Sequence, residues 1–292
     1  MKRNRIIALF PLSLTILALA GGCSRHTPQV NTTDELAAKA ITVEACTTAD
    51  TTFMLDGYRV PTVEIERIYP TEHQDAYISM RVFALRDTST VNSGLARIVA
   101  ENFGLISGGD LTVRPGRRSP ADVEKQMDYY GAVFVDTILP QLKGSVELGF
   151  FMNMDLRPAW ADPEHGLITY SSYAESCGGG ACDTDAYYVT FKEGVDHELT
   201  FDELVPDPAM RQKLRQALVD EIAKAGHTTA DAMLRQVTDY LTPGAIRMLT
   251  PATFPVDHVA LMGESLVFAY RQGSIAPVGQ GCPMFMVPMV KE

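Results

Sequence analysis

The strand-like and helix-like segments of this 292-residue sequence come in clusters and do not alternate. Hydrophobic side chains follow the period of two that is typical of β-strands over residues 62–68 and 76–85. The turn at residues 69–72 predicts that these two strands pair antiparallel. A parallel α/β sheet needs a helix after each strand, so clustered strands favour an α+β fold. We predict a single compact α+β domain in which helices pack on an antiparallel β-sheet.

Helical periodicity follows the first strands. Residues 91–103 and 119–138 carry apolar side chains three or four positions apart, and Ser119 with Pro120 is a typical start of a helix. Strand patterns return after Gly144. The remaining predicted elements are strands at 146–156, 167–173 and 186–191, a capped helical turn at 199–204, helices at 210–225 and 229–241, and strands at 259–262, 266–270 and 285–290.

The first 22 residues resemble a bacterial lipoprotein signal peptide. Lys2, Arg3 and Arg5 precede a mostly apolar stretch, and small residues lead to Cys23, which carries the lipid in such signals. The apolar run of about 15 residues is shorter than the roughly 20 that a transmembrane helix needs. Simple secretion is the alternative. We predict a signal peptide at 1–22, a flexible lipid-anchored tether at 23–45 and a folded domain at 46–292.

Lipidation at Cys23 predicts a protein that is anchored to a membrane of the cell envelope. Ser24 is compatible with sorting to the outer membrane, and we expect the domain to face the periplasm or the cell surface. Without Lys2, Arg3 and Arg5, 22 basic residues stand against 36 acidic ones, a net charge of −14 compared with −11 for the full chain. Such a surface repels phosphate backbones, so we expect no nucleic-acid partner and favour a basic protein or a neutral glycan.

Four further cysteines fit an oxidising compartment, where disulfides persist. Cys177 and Cys182 flank a glycine-rich loop that can bring their Cβ atoms to bonding distance, which predicts a disulfide. Cys46 and Cys282 then form the second pair by elimination. The alternative, a metal site built from Cys177, Cys182 and a histidine, has no supporting ligand spacing nearby. We therefore expect no metal and no cofactor.

The loop-rich edge around these glycines is the candidate binding site. Tyrosines there offer large contact areas with a polar group, which suits protein interfaces and sugar stacking. Alternatively they fill the sheet face, because Tyr187 and Tyr188 point to opposite sides and at least one of them belongs to the core. Asp183 and Asp185 are interpreted as a solvated turn in preference to a cation site. The candidate ligand-binding residues are Tyr173, Glu175, Gly179, Gly180, Asp183, Tyr187 and Tyr188.

Catalytic motifs are weak, and we name no catalytic residue. The segment from Thr200 to Glu203 superficially resembles the metal motif of polysaccharide deacetylases, but Leu204 replaces its final glycine and no His-x-x-x-His pair follows. Thr200 and Glu203 fit a helix capping box instead. No Gly-x-Ser-x-Gly nucleophile motif occurs, and none of the six histidines has another as a local ligand partner.

The chain resembles a known domain family over about residues 57–290, most clearly from 167 onward. The matching features are the glycine loop, the segment 199–205, the long helix, Phe268-x-Tyr270, Ile275-Ala276-Pro277, Gly279, Gly281, Pro283, Phe285 and Val287-Pro288. They resemble the extracytoplasmic domain of the lysozyme-binding anti-sigma factor RsiV, which also occurs beside peptidoglycan deacetylase domains.

This resemblance implies a non-catalytic binding module for lysozyme or peptidoglycan. The family loop often reads Gly-Gly-Ala-His-Gly, whereas Cys182 and Asp183 follow Ala181 in this chain. The departure weakens the case for a recognition role of the loop. The alternative function is a hydrolase or deacetylase that acts on cell-wall glycan.

Overall fold

The computed structural model describes residues 45–70, 76–86, 89–107, 120–138, 150–178 and 181–289. Within these residues, nine strands form two sheets. The strands are β1 (Ala45–Leu55), β2 (Tyr58–Pro70), β3 (Ala76–Leu85), β4 (Phe150–Asp162), β5 (Leu167–Gly178), β6 (Ala181–Lys192), β7 (His258–Met262), β8 (Ser265–Ala269) and β9 (Met284–Pro288). The helices are α1 (Thr90–Ser107), α2 (Pro120–Val133) with a π-helical end (Phe134–Ile138), α3 (Phe201–Leu204), α4 (Pro208–Ala225) and α5 (Ala230–Leu241).

The first sheet contains β1 to β6 in sequence order, and the second contains β7 to β9. All neighbouring strands pair antiparallel except β3 and β4, which are parallel. The predicted α+β fold is confirmed, but the six-stranded sheet is mixed. The parallel pair exists because α1 and α2 lie between β3 and β4 in the sequence, and parallel neighbours need such a long connection.

The helices α1 and α2 form the first hydrophobic core with the six-stranded sheet. Each helix approaches the sheet at a glycine. A Cβ atom on Gly94 of α1 would lie 2.2 Å from the Phe191 ring, and one on Gly131 of α2 would lie 2.2 Å from the Tyr69 ring. The aromatic rings of Phe191 and Tyr69 therefore occupy the space that a side chain at Gly94 or Gly131 would need. The bulkiest buried residues of this core include Tyr69, Phe103, Tyr130, Phe134, Tyr170, Tyr187 and Phe191.

A buried arginine fixes α2 on the sheet. Arg67 follows Ile65 on the inward face of β2, as the alternation predicts, and is only 1% exposed. Its Nε donates to Oδ1 of Asp128 at 2.7 Å, and its Nη2 forms an ion pair with Glu124. Both acids lie on the same face of α2, one turn apart. The buried charge is thus paired and hydrogen-bonded, as a charge in a core must be.

The second core lies between the three-stranded sheet and α3, α4 and α5. Asp207 caps the N-terminus of α4, and Thr229 caps the N-terminus of α5. The short α3 begins with the predicted capping box. Thr200 Oγ1 accepts the N–H of Glu203, and the Glu203 carboxylate accepts the N–H of Thr200. The capping-box interpretation of this segment is confirmed.

Two threonines join the sheets. Thr169 of β5 and Thr190 of β6 face each other in register, and their hydroxyl oxygens lie 2.8 Å apart. Thr190 Oγ1 accepts the N–H of Leu261 at 2.8 Å, while Thr169 Oγ1 donates to the Leu261 carbonyl oxygen at 2.6 Å. These bonds place β7 beside β6. The position of β7 in turn brings His258 to the end of β6 that carries the candidate binding residues.

Candidate functional site

The predicted disulfide between Cys177 and Cys182 is confirmed. The two residues are register partners on β5 and β6, so the bridge crosslinks neighbouring strands. Their sulfur atoms and a carboxylate oxygen of Glu175 lie within 4.8 Å of one another, as metal ligands do. Because both sulfurs are in the disulfide, neither offers a thiolate to a metal ion. The predicted ligand residues Gly179 and Gly180 lie outside the described residues.

The predicted disulfide between Cys46 and Cys282 is wrong. Cys282 has a free thiol, whose Sγ donates to the carbonyl oxygen of Thr184 at 3.0 Å. Thr184 lies on β6, whereas Cys46 lies on β1 opposite Arg67 of β2. These strands form opposite edges of the sheet, five spacings of about 4.8 Å apart, and bridged Cα atoms lie within about 7 Å.

The other predicted ligand residues lie together at one end of β5 and β6. Tyr173 is 38% exposed, Glu175 is half-buried and Asp183 is exposed. Partial burial and then the charge of Glu175 raise the pKa of Tyr173 to about 12, so its hydroxyl stays protonated. Tyr187 is 2% exposed and Tyr188 is half-buried. The expectation that at least one tyrosine of this adjacent pair belongs to the core is therefore confirmed.

A cavity of about 180 Å³ opens beside these residues. It lies between the ends of β5 and β6, the C-terminal half of α1 and the segment that follows β8. The lining side chains are mostly polar, and three of them are carboxylates. The lining residues are Asn102, Ala174, Glu175, Ser176, Asp183, Thr184, Asp185, Arg271 and Gln272.

Asp185 is the buried acid of this cavity, with a side chain that is 5% exposed. Burial raises the pKa of its carboxyl to about 6, although the positive charge of Arg271 opposes this increase. Nε of Arg271 lies 3.2 Å from Oδ2 as an ion-pair partner. Neither carboxylate oxygen accepts a well-formed hydrogen bond from a described residue, although the Ala186 N–H lies close enough to lower the pKa slightly. Asp185 thus carries two buried acceptors with open capacity.

The hydrogen of Arg271 Nε points to His258 and not to Asp185. It is donated to Nε2 of His258 at 3.3 Å. The imidazole ring lies parallel to the Tyr187 ring, with centroids 3.9 Å apart and an interplanar angle of 14°. Burial and then the charge of Arg271 lower the pKa of His258 to about 4, so the ring is neutral at pH 7. Since Nε2 accepts a hydrogen bond, the neutral ring carries its proton on Nδ1.

A buried hydrogen-bond network supports the cavity from the side of α1. The Tyr187 hydroxyl donates to Oδ1 of Asn102 at 3.2 Å, and Nδ2 of Asn102 donates to Ser172 Oγ at 3.2 Å. Burial raises the pKa of Tyr187, which keeps its hydroxyl protonated and able to donate. Asn102 lies two turns after Gly94 on α1. The close approach of α1 to the sheet therefore positions a lining residue of the cavity.

Two side chains hold the segment after β8 against the outer edge of β6. Oε1 of Gln272 accepts the N–H of Thr184 at 2.8 Å, and the Cys282 thiol donates to the carbonyl oxygen of the same residue. Nε2 of Gln272 also donates to the carbonyl oxygen of Val278 at 2.9 Å. The peptide groups of an edge strand are thus satisfied by side chains. This arrangement fixes Arg271, which precedes Gln272, at the mouth of the cavity.

Sequence reasoning misses three residues of the site, Asp185, His258 and Arg271. The solvated-turn interpretation of Asp185 is wrong, because this side chain is buried. One signal was available in the sequence. Asp185 shares the face of β6 that carries Tyr187 and the other core residues at every second position, and an acid on an apolar face is unusual. His258 and Arg271 come from other elements, and no local pattern indicates their approach.

The signal peptide, Cys23 and the tether as far as residue 44 lie outside the described residues and remain predictions, as does the boundary of the domain at residue 46. Within the described part of the chain, no helix has both the length and the apolar character required to cross a membrane.

The acidic and polar side chains that line the cavity can accept hydrogen bonds from a ligand. Asp185 can also exchange a proton near neutral pH, a property that is common at functional sites.

No family model and no curated protein matches this chain. Among solved structures, it resembles a DUF3298 family member from Bacteroides fragilis, with 16% identity over 85% of this chain and 90% of the other and a TM-score of 0.45. It also resembles a DUF3298 family protein from Pseudomonas aeruginosa, with 14% identity over 84% of this chain and 90% of the other and a TM-score of 0.46. Both of these structural neighbours are DUF3298 family proteins.

Proposed function

We propose that this chain is a lipid-anchored binding protein of the cell envelope that recognises a basic protein such as lysozyme. The observation that carries the proposal is the acidic cavity at the end of β5 and β6. Its lining contains three carboxylates and one guanidinium group, for a net charge of −2 when all are ionised. A basic partner complements this charge, and complementary charge increases both association rate and specificity.

The sequence supports the same proposal in two ways. The mature chain has a net charge of −14, so the field around the domain attracts cationic proteins. Attachment through Cys23 places the domain where enzymes that attack the envelope arrive. The resemblance to the RsiV extracytoplasmic domain adds lysozyme as the candidate partner, and the outer membrane is the proposed location.

Calorimetric titration tests this proposal. The chain from residue 24 onward, produced without lipid, is titrated with hen egg lysozyme at low and at high salt. We expect saturable binding that weakens at least about tenfold at high salt, because screening reduces the attraction between exposed charges. Absence of binding under both conditions would overturn the proposal.

A matched pair of variants locates the binding surface. Glu175→Gln with Asp183→Asn removes two charges at the cavity, while Asp220→Asn with Asp239→Asn removes two exposed charges on α4 and α5. We expect the first pair to weaken lysozyme binding and the second to have little effect. Equal effects of the two pairs would mean that total charge, and not the cavity, governs recognition.

Peptidoglycan is tested in parallel as the other candidate ligand. The exposed ring of Tyr173 beside the polar cavity is the feature that favours a sugar, since aromatic rings with nearby polar groups suit carbohydrates. Co-sedimentation with purified sacculi measures this binding. Release of soluble sugar or acetate in the same samples would instead support the alternative enzymatic function.

A further inference from the structure

The cavity holds a feature that its own residues do not explain. Asp185 is about 95% buried, lines the cavity, and has two carboxylate oxygens that accept no well-formed hydrogen bond. Buried polar atoms in folded proteins almost always have such partners. A ligand that brings a hydrogen-bond donor into the cavity would offer this carboxylate the missing partner.

Two polar groups near Asp185 are engaged with other residues. The single hydrogen of Arg271 Nε is committed to His258, whose ring stacks on Tyr187. The amide of Gln272 is committed to Thr184 and Val278. The Nε hydrogen of Arg271 and the amide of Gln272 therefore do not donate to Asp185, although Arg271 remains its ion-pair partner.

The charge of the lining favours a cation over other donors. Glu175 and Asp183 line the same cavity as Asp185, against the single guanidinium group of Arg271. A phosphate or carboxylate ligand would be repelled by this excess of negative charge. A neutral hydroxyl would satisfy the oxygens without offsetting their charge, whereas a cation does both, and charge-assisted hydrogen bonds are the stronger ones.

We propose that this cavity binds a primary ammonium group, the end of a lysine side chain of the partner, with Asp185 as the principal acceptor. An ammonium group is compact and carries three donors, which suits a small cavity with several acceptors better than a planar guanidinium group does. The inference rests on the proposed function, because it names the group through which a basic protein is recognised.

The proposal makes binding dependent on the charge of Asp185. The charged and titratable groups that face this carboxylate are Glu175 on β5, Asp183 on β6, Asp257 and His258 at β7, Arg271 after β8 and Cys282 before β9. The facing residue of α1 is the uncharged Asn102. With a carboxyl pKa of about 6, roughly nine-tenths of Asp185 is protonated at pH 5. Acidification therefore removes the acceptor charge before it affects an ordinary aspartate.

The test uses N-acetyl-lysine methylamide as the probe and N-acetyl-norleucine methylamide as its uncharged control. Both are titrated into the chain from residue 24 onward, and binding is followed by amide chemical shifts in NMR spectra. We expect saturable shifts around β5 and β6 with the lysine probe alone. The apparent affinity should fall about tenfold from pH 7.5 to pH 5, in proportion to the charged fraction of Asp185.

Two variants separate the charge of Asp185 from the space beside it. Asp185→Asn keeps the shape and removes the charge, and we expect a loss of affinity for the lysine probe of at least tenfold. Ser176→Leu fills part of the cavity and keeps the charge, and it should weaken binding as well. Asp239→Asn, an exposed position on α5, is the matched control and should bind like the wild type. Thermal unfolding of each variant verifies that it is folded.

The outcomes distinguish this inference from the proposed function. Lysozyme binding that survives in Asp185→Asn, together with no saturable shift by the lysine probe, would overturn the inference and leave the proposed function standing. Equal shifts with the lysine and norleucine probes would also overturn it, since the ammonium group would then not be recognised. Loss of both lysozyme and lysine-probe binding in Asp185→Asn, but not in Asp239→Asn, supports both.

Discussion

We predict that Asp185→Asn stabilises the folded protein at neutral pH. Burial raises the pKa of Asp185 from its ordinary value of 3.8 to about 6, so the folded state holds this proton more tightly than the unfolded chain. At about 1.36 kcal/mol per pKa unit, the charged carboxylate lowers the free energy of unfolding by about 3 kcal/mol at pH 7.5. This figure already includes the attraction by Arg271. An asparagine removes the cost because its amide carries no charge.

The pH dependence has a definite sign. As the pH falls through 6 toward 4, the folded wild type takes up the proton and the cost declines, whereas the variant has no group that titrates at this position. Between pH 7.5 and pH 5 the wild type therefore recovers about 1.4 kcal/mol relative to Asp185→Asn. We expect the stability advantage of the variant to be larger at pH 7.5 than at pH 5 by this amount.

Urea unfolding at both pH values, followed by circular dichroism, measures the difference directly. Comparing the variant with the wild type at each pH cancels the titration of all other groups. Asp239→Asn removes an exposed carboxylate on α5 and is the matched control. An advantage of Asp185→Asn that is equal at the two pH values, or larger at pH 5, would refute the reasoning about burial.

Two further predictions concern the scaffold of the site. Gly94→Ala should lower the free energy of unfolding by about 1–2 kcal/mol, because overpacking against Phe191 exceeds the gain in helix propensity. Calorimetric melting should show this loss, while Gly279→Ala, where a Cβ meets nothing within 4 Å, should melt like the wild type. Replacing Cys177 and Cys182 with serine should cost about 2 kcal/mol in urea unfolding, the value for closing so short a loop. Reducing the disulfide of the wild type should lower the free energy of unfolding by the same amount. A smaller decrease would mean that the unfolded chain is already compact around Cys177 and Cys182.

The helices and strands of this fold are largely readable from the sequence, because each periodicity reports which face of a segment is buried. Strand β1 is the exception among the described strands. Most of its side chains from Thr47 onward are exposed, since it forms an edge of the sheet, and its threonine-rich sequence shows no alternation of apolar residues. The parallel pairing of β3 and β4 is also missed, because periodicity shows a buried face but not the neighbouring strand.

The site is readable only in part, and for the same reason. The sequence places Glu175 and Asp183 at one sheet end, because they flank the glycine loop between consecutive strands. Asp185, His258 and Arg271 meet only after the second sheet has docked on β6 through Thr169 and Thr190. Contacts between segments so distant in the chain leave no local pattern. The face that Asp185 shares with Tyr187 indicates its burial, but only the tertiary structure shows that its carboxylate oxygens accept no well-formed hydrogen bond from a described residue.

The parallel pairing of β3 and β4 has a consequence for the kinetics of folding. The strands of β1–β3 and of β4–β6 are each joined by short connections, whereas Ala76 of β3 pairs with Phe150 of β4. Closing a longer loop costs more chain entropy, and non-local pairing slows folding. We therefore expect the pairing of the two three-stranded halves, β1–β3 and β4–β6, to be the slow step. Substitutions at the β3–β4 pair should change the folding rate more than substitutions in the outer hairpins.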